Sequence, residues 1–292
     1  TDDISASDVT SLKSGRKNLI INGGFDVWQR GTSFSGLSTY SYFADRWQCA
    51  ISTTCSRSTD TPTDEGFNYS AKLEAGSGGN ILRMMLEDSY RLLGSNSFTF
   101  SFWIKGSVAS TGGMDVGDQQ SKTFSISTSW TKITQSFTAI NTSAHGGTAN
   151  DYFDITSSVA GDFYITGVQL EVGDTATDFE QRSYGEELAL CQRYYEQSPS
   201  LSGFSGAKQL LAISTGALGG FHFLQTKRAA PSISIYSRSG AVGAVSDMAT
   251  GADVTGISIN TIGTTAFHYV GGGSGYVVGH LYEANYTADA EL

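Results

Sequence analysis

Apolar and polar residues alternate most clearly over Phe98 to Lys105, where Phe98, Phe100, Phe102 and Ile104 share one face. Thr99, Ser101, Trp103 and Lys105 fall on the other, which predicts an antiparallel strand with one buried and one solvated face. The same period recurs in Phe124, Ile126, Thr128 and Trp130, then over Ile133 to Phe137 and Tyr152 to Ile155. Gly161 to Val172 adds Phe163, Ile165, Val168, Leu170 and Val172 between turn residues. Its parity jumps between Ile165 and Val168, which predicts a bulge at Gly167. Upstream, Leu19 to Ile21 reads as a short strand and Asn22-Gly23-Gly24 as a turn, whereas Leu82 to Leu93 fits either a short helix or an irregular strand. Several short strands separated by turn signals predict a sandwich or barrel.

The period changes once. Ser183 and Glu186 form an S-x-x-E capping box, and Tyr184, Leu188, Cys191 and Tyr195 then recur at helical steps. Glu186 and Glu187 suit a helix N-terminus and Pro199 lies beyond its stop. After Pro199 short β candidates return at Leu210–Ile213, Phe221–Leu224, Ser232–Tyr236, Gly256–Asn260 and Thr265–Val270. A last strand alternates Tyr276, Val278, His280, Tyr282, Ala284 and Tyr286, and this region has few large aliphatics, as modules completed by neighbouring chains do. The expected organisation is an arm at residues 1–17, a β-sandwich at 18–183, a linking helix at 184–198 and a Gly-rich β-sandwich or β-knob at 199–292.

Composition narrows the function. The formal net charge of −10 over 292 residues disfavours nucleic acid and anionic membrane as partners, and no apolar run is long enough to span a bilayer. The opening TDDISASDVT has neither an initiator Met nor an apolar signal region and reads as part of something longer. Cys49 and Cys55 can pair across a hairpin, or all three cysteines, with Cys191, are reduced and buried. Asp64-Glu65, Glu87-Asp88 and Glu186-Glu187 are sequence neighbours, and nothing places two carboxyls across a sugar groove as glycoside hydrolysis needs. His145, His222, His268 and His280 are scattered and accompany no Ser-centred motif. Trp28 and Trp47 read first as core and second as a stacking platform.

NLIINGGFDVWQRGTSF, YFADRW, FTFSFWIKG, ITGVQLEVGDTATDFEQRSYGEELALCQRYYE and TKRAAPSISI together resemble the C-terminal parts of bacteriophage tail fibre proteins. Within this, NLIINGGFD and the closing TGVQLEVG are similar to carbohydrate-binding modules of jelly-roll fold. The resemblance implies a homotrimer at the distal tail fibre of a virion, a bacterial surface glycan or envelope component as receptor, and contact with other tail proteins through the N-terminus. It also implies a structural calcium near the opening turn, although Val168 and Gln169 stand where an acidic residue belongs and Asp26 alone falls short of a hard-oxygen set. The expected protein is a non-enzymatic receptor-binding adhesin. A polysaccharide depolymerase and a structural fibre connector are the alternatives. Its candidate contacts are the aromatics Trp103, Tyr236, Tyr269, Tyr276, Tyr282 and Tyr286.

Overall fold

A computed structural model describes residues 17–37, 39–50, 54–75, 79–87, 93–94, 96–117, 120–140, 152–158, 160–202, 207–212, 217–271 and 276–291. The arm expected at 1–17 lies almost wholly outside these residues. The chain divides into two units, with the boundary between Glu187 and Leu188.

The first unit runs through β1 (Ser33–Ser35), β2 (Ser41–Tyr42), β3 (Trp47–Ala50), β4 (Thr54–Ser58), β5 (Ser70–Glu74) and β6 (Ile81–Met85). It continues with β7 (Phe98–Gly106), β8 (Ser110–Val116), β9 (Gln120–Ile126), β10 (Thr131–Phe137), β11 (Tyr152–Ser157) and β12 (Phe163–Val172). These form two six-stranded sheets, ordered β1-β4-β5-β12-β7-β10 and β2-β3-β6-β11-β8-β9. All pairings are antiparallel and the chain passes repeatedly from one sheet to the other, as in a jelly-roll sandwich. Between the sheets, Phe100 stands 4.7 Å from Phe153 and Trp47 meets Phe153 edge-on at 5.7 Å. Burying such rings is the main favourable term for a fold of this kind.

The alternation in β7 places Phe98, Phe100, Phe102 and Ile104 in this core at 0% exposure. Its other face is not uniformly wet. Thr99 and Ser101 are buried too, because residues 173–174 lie over that end and Gly173 O accepts from Thr99 Oγ1 at 2.8 Å. The bulge in β12 falls where parity predicts it, with a register shift between Thr166 and Gln169 and Gly167 at φ +64°. Residues 19–21 form no strand. The segment between Ile126 and Thr131 is a turn, so the alternation through Thr128 and Trp130 does not continue β9. A disulfide joins Cys49 on β3 to Cys55 on β4, linking the two sheets rather than the arms of a hairpin, while Cys191 is free and buried.

The helix α1 (Tyr184–Gln192) opens on the expected capping box: Ser183 N donates to Glu186 Oε2 at 3.0 Å and Glu186 N to Ser183 Oγ at 3.3 Å. It stops before Tyr195, which lies in a strand.

The second unit contains β13 (Tyr195–Gln197), β14 (Lys208–Leu211), β15 (Ala217–His222), β16 (Ser232–Tyr236), β17 (Ala244–Asp247), β18 (Asp253–Thr255), β19 (Ile257–Ile262), β20 (Ala266–Gly271) and β21 (Leu281–Asp289). Strand β21 pairs with β13, β14, β16 and β17, and a three-stranded sheet β15-β20-β19 accompanies that group. Rings from both sheets meet, with Phe221 stacked on Tyr286 at 5.7 Å and edge-on to Phe267 at 5.4 Å. Beside them lies a fully buried ion pair: Lys227 Nζ is 2.6 Å from Glu196 Oε2, both side chains at 0% exposure. Tyr286 OH and Leu224 N also donate to that carboxylate.

Candidate functional site

The opening stretch, Asn18 to Gly24, owes its irregular path to two buried amides. Asn18 Oδ1 accepts from Ile20 N at 2.9 Å and Leu170 N at 3.1 Å. Asn22, at φ +60°, donates to the carbonyls of Val27 and Asp45 and accepts from Val27 N. Side chains thus take up backbone groups that a strand partner would otherwise satisfy. Arg182 fastens this stretch from the far end of the unit. Its guanidinium donates to Ile20 O at 3.0 Å, to Asn18 O, to Glu180 Oε2 at 3.0 Å and to Glu187 at 3.3 Å. Burial would raise the Glu180 carboxyl, but the Asn18 N–H and the Arg182 charge outweigh it and hold its pKa below the ordinary value.

These residues do not fit the implied calcium. The carbonyls and carboxylates that gather there are spent on the Arg182 guanidinium, and Gln169 donates its amide to Glu171 Oε2 at 2.9 Å. An arginine supplies the positive charge at that place.

Beside this knot a cleft of about 310 Å³ is lined by Asp26, Trp28, Arg57, Asn68, Tyr69, Gln181, Arg182 and Tyr184. Four separated segments build it, and the β12 bulge aligns one of them. A Cβ on Gly167 would lie 2.5 Å from the Phe67 ring, so glycine there seats Phe67 against β12. Thr166 Oγ1 donates to Tyr69 O at 2.8 Å, and Phe67 meets Phe179 edge-on at 5.0 Å. Asn68 and Tyr69 are thereby set on one wall, and the segment carrying Gln181 to Tyr184 on another. Trp28 is anchored by its indole N–H on Phe25 O at 2.6 Å, whereas Tyr184 is 60% exposed.

The polar groups of the cleft are largely unspent. Asp26 accepts one long hydrogen bond, from Asn68 Nδ2 at 3.4 Å, and burial pushes its pKa up against that bond. The Arg57 guanidinium lies over the Tyr69 ring at 4.4 Å and makes no ion pair among the described residues. Among the described residues Asp26 is the one carboxylate lining the cleft, and Glu180 and Glu187 nearby serve Arg182. The arrangement suits reversible binding of a polyhydroxylated ligand by stacking and hydrogen bonds. Among the described residues its lining holds one carboxyl, where an acid–base pair across a glycosidic bond uses two.

The aromatics singled out in the sequence do not converge on this cleft. Tyr276, Tyr282 and Tyr286 are 4%, 0% and 2% exposed, so they pack in the core of the second unit and present no face to a ligand. Burial raises the Tyr276 hydroxyl to about 12, and Tyr282 OH accepts from Val277 N at 2.9 Å. Tyr236 is half-buried at the end of β16. Tyr269 lies on β20 opposite Ile259, its side chain outside the described residues. Trp103 is half-buried on the outer face of β7, opposite Lys132 and Thr166. Near it Lys105 covers the rings of Trp130 and Tyr164 at 5.5 and 4.7 Å. Of the cleft, Asp26, Trp28 and Tyr184 drew notice in the sequence, for other reasons. Arg57, Asn68, Tyr69 and Gln181 carry no sequence signal, being single polar residues in unremarkable contexts.

The first unit is therefore a β-sandwich with a small polar-aromatic cleft beside the bulge of its closing strand. No protein-family model matches the sequence, and no curated protein matches it. Among solved structures, the enzymatically active domain of tailspike protein 4 from bacteriophage CBA120 aligns with 53% of this chain and 21% of its own, at 16% identity and a TM-score of 0.36. A putative sugar binding protein from Bacteroides thetaiotaomicron aligns with 54% of this chain and 100% of its own, at 13% identity and 0.36. An endo-1,4-beta-D-xylanase of Clostridium thermocellum, complexed with xylohexaose, aligns with 54% and 29%, at 14% identity and 0.37. The chain thus spans less than a third of the first and third of these proteins, and likeness this distant carries no argument about function.

Proposed function

We propose that this chain is a non-enzymatic glycan-binding adhesin, the receptor-binding part of a bacteriophage tail fibre, and that the cleft lined by Asp26, Trp28, Arg57, Asn68, Tyr69 and Tyr184 is a contact with the bacterial surface. The observation that carries binding is the unspent hydrogen-bonding capacity of side chains that share a concave, aromatic-walled space. The single uncommitted carboxylate favours binding over a depolymerase. The tail-fibre assignment rests on the residues resembling that family, from the NLIINGGFD opening to the helix.

Assembly as a homotrimer at the virion's distal tail fibre is part of the same proposal. Its support is apolar exposure on the second unit: Leu211 pairs in register with Leu281, Met248 N donates to Leu281 O, and Val277 and Val278 lie in the turn before them. All five are 39–56% exposed. A patch of this kind marks an interaction surface, and three linked copies raise the avidity of weak sites by about 10²–10⁴.

Light scattering for mass and binding of labelled protein to a panel of bacteria test this reading. Decoration of some strains, lost in an Asp26→Ala, Tyr184→Ala double variant of unchanged mass and thermal midpoint, is expected. Undiminished decoration by that variant overturns the cleft as the contact. A chain that decorates no strain but captures another virion protein is a connector.

A further inference from the structure

Two charges in the cleft remain uncommitted, and they define what a ligand must bring. Arg57 rises from β4 as an exposed residue, its guanidinium carbon 4.4 Å from the centre of the Tyr69 ring, and among the described residues its side chain has no hydrogen-bond or ion-pair partner. Asp26 is half-buried with Asn68 as its one hydrogen-bonding partner. The two form no ion pair with each other, although both line the same cleft. Arg182, the other cation of the lining, is consumed by Glu180, Glu187 and two carbonyls. The space between therefore offers one planar cationic fork and one carboxylate acceptor, with the amides of Asn68 and Gln181 and the hydroxyls of Tyr69 and Tyr184 around them.

A neutral sugar can satisfy Asp26, since a carboxylate accepts from ring hydroxyls, but it leaves the fork without its matching acceptor. Guanidinium pairs best with a planar two-oxygen anion, and the Tyr69 ring, 4.4 Å from the guanidinium carbon, props the fork at the cleft for such a partner. At about 310 Å³ the cleft lies at the small end of ligand pockets, which fits one ring rather than a run of a chain. Resting on the glycan-binding reading above, we infer that the cleft takes a single acidic sugar residue, a hexuronate or comparable sugar acid. Its carboxylate pairs with Arg57 and its hydroxyls donate to Asp26, with the ring against Tyr184 or Trp28.

The test uses the full chain and two probes. One is an array of glucuronate- and galacturonate-terminated oligosaccharides beside their glucose- and galactose-terminated counterparts. The other is surface polysaccharide from a strain the protein decorates, before and after conversion of its carboxyls to primary alcohols. The expected result is binding of the acidic forms about tenfold or more above the neutral ones, the worth of one charge-assisted hydrogen bond. Arg57→Ala and Arg57→Gln, the second of which keeps hydrogen bonding without charge, should both weaken acidic ligands to the neutral level. Arg57 is exposed, so both variants should keep the parent thermal midpoint. Equal binding of native and carboxyl-reduced polysaccharide, lost in Asp26→Ala, overturns the acidic-sugar inference and leaves glycan binding standing. Decoration of cells with no binding to either polysaccharide overturns both.

Discussion

Replacing Arg182 by alanine removes the cation on which the opening stretch, Glu180 and the start of α1 converge. Its side chain is 9% exposed, and its carboxylate partners Glu187 and Glu180 are 11% and 27% exposed. Deleting one partner of a buried pair costs about 3–5 kcal/mol, because the survivors keep their charge without compensation. Glu180 is exposed enough to recover some hydration, which places the expected loss near the lower end, about 3 kcal/mol. For a cooperative unit of this size that lowers the thermal midpoint by roughly 6–12 °C. The pH profile gives a second signature. Glu180's folded pKa is depressed below 4.5, so its contribution is present above that value and disappears as pH falls through the folded pKa. Arg182→Ala should therefore lose stability at neutral pH and flatten the acid-side slope, the Asn18 N–H keeping part of it. Arg182→Lys keeps one charge but cannot reach Ile20 O, Asn18 O and both carboxylates together, and should fall between. Urea unfolding between pH 3 and 7 measures all three. A loss below about 1 kcal/mol, the worth of one ordinary hydrogen bond, would refute the reasoning.

The remaining predictions concern the disulfide, the bulge, the cleft acid and the buried lysine. Breaking the Cys49–Cys55 link by Cys49→Ser should cost about 2.4 kcal/mol in chain entropy for so short a loop, and the unreduced, unfolded parent should titrate one free thiol, with three refuting the link. Gly167→Ala should cost roughly 1–2 kcal/mol for the left-handed backbone alone, and by displacing Phe67 it should also weaken ligand binding; unchanged affinity would show that the bulge does not position the cleft. Asp26's pKa is raised by burial, so its ionised form opposes folding above the folded pKa and that penalty lifts as pH falls. Asp26→Asn should hold or raise stability at pH 7 while lowering affinity about tenfold or more, and a marked loss of stability would contradict this. Lys227→Ala, which strands the fully buried Glu196 carboxylate, should cost about 3–5 kcal/mol in urea unfolding, with Lys227→Ala plus Glu196→Gln recovering part of it; no recovery would mean the pair's charge is not the cause.

Much of the fold was legible because local chemistry and global position agree. Ser183 and Glu186 announce a helix start wherever they occur, and Gly167 breaks the alternation of its strand visibly. The misreadings have physical causes. Leu19 to Ile21 has strand composition, but Asn18 and Arg182 satisfy the Ile20 backbone with side chains, and no residue-level propensity reports that. Tyr282 and Tyr286 do share a face, as alternation indicates. Alternation says which residues lie together and not whether water or another sheet covers them. Cys49 and Cys55 are near enough to suggest a hairpin, yet the chain changes sheets between them. The cleft was least legible, since Asp26, Arg57, Tyr69 and Gln181 come from segments joined only by tertiary packing.

Strand β21 carries a kinetic consequence. Its two edges serve β13, β14, β16 and β17, so four strands spread from Tyr195 to Asp247 find their partner in residues 281–289. Such pairings close long loops before any contact repays the entropy, which slows folding. During synthesis the second unit must wait for its final strand, while the first unit, whose closing strand ends at Val172, already has every pairing it needs. The two units should therefore acquire protease resistance at different times on the ribosome, the first well ahead of the second.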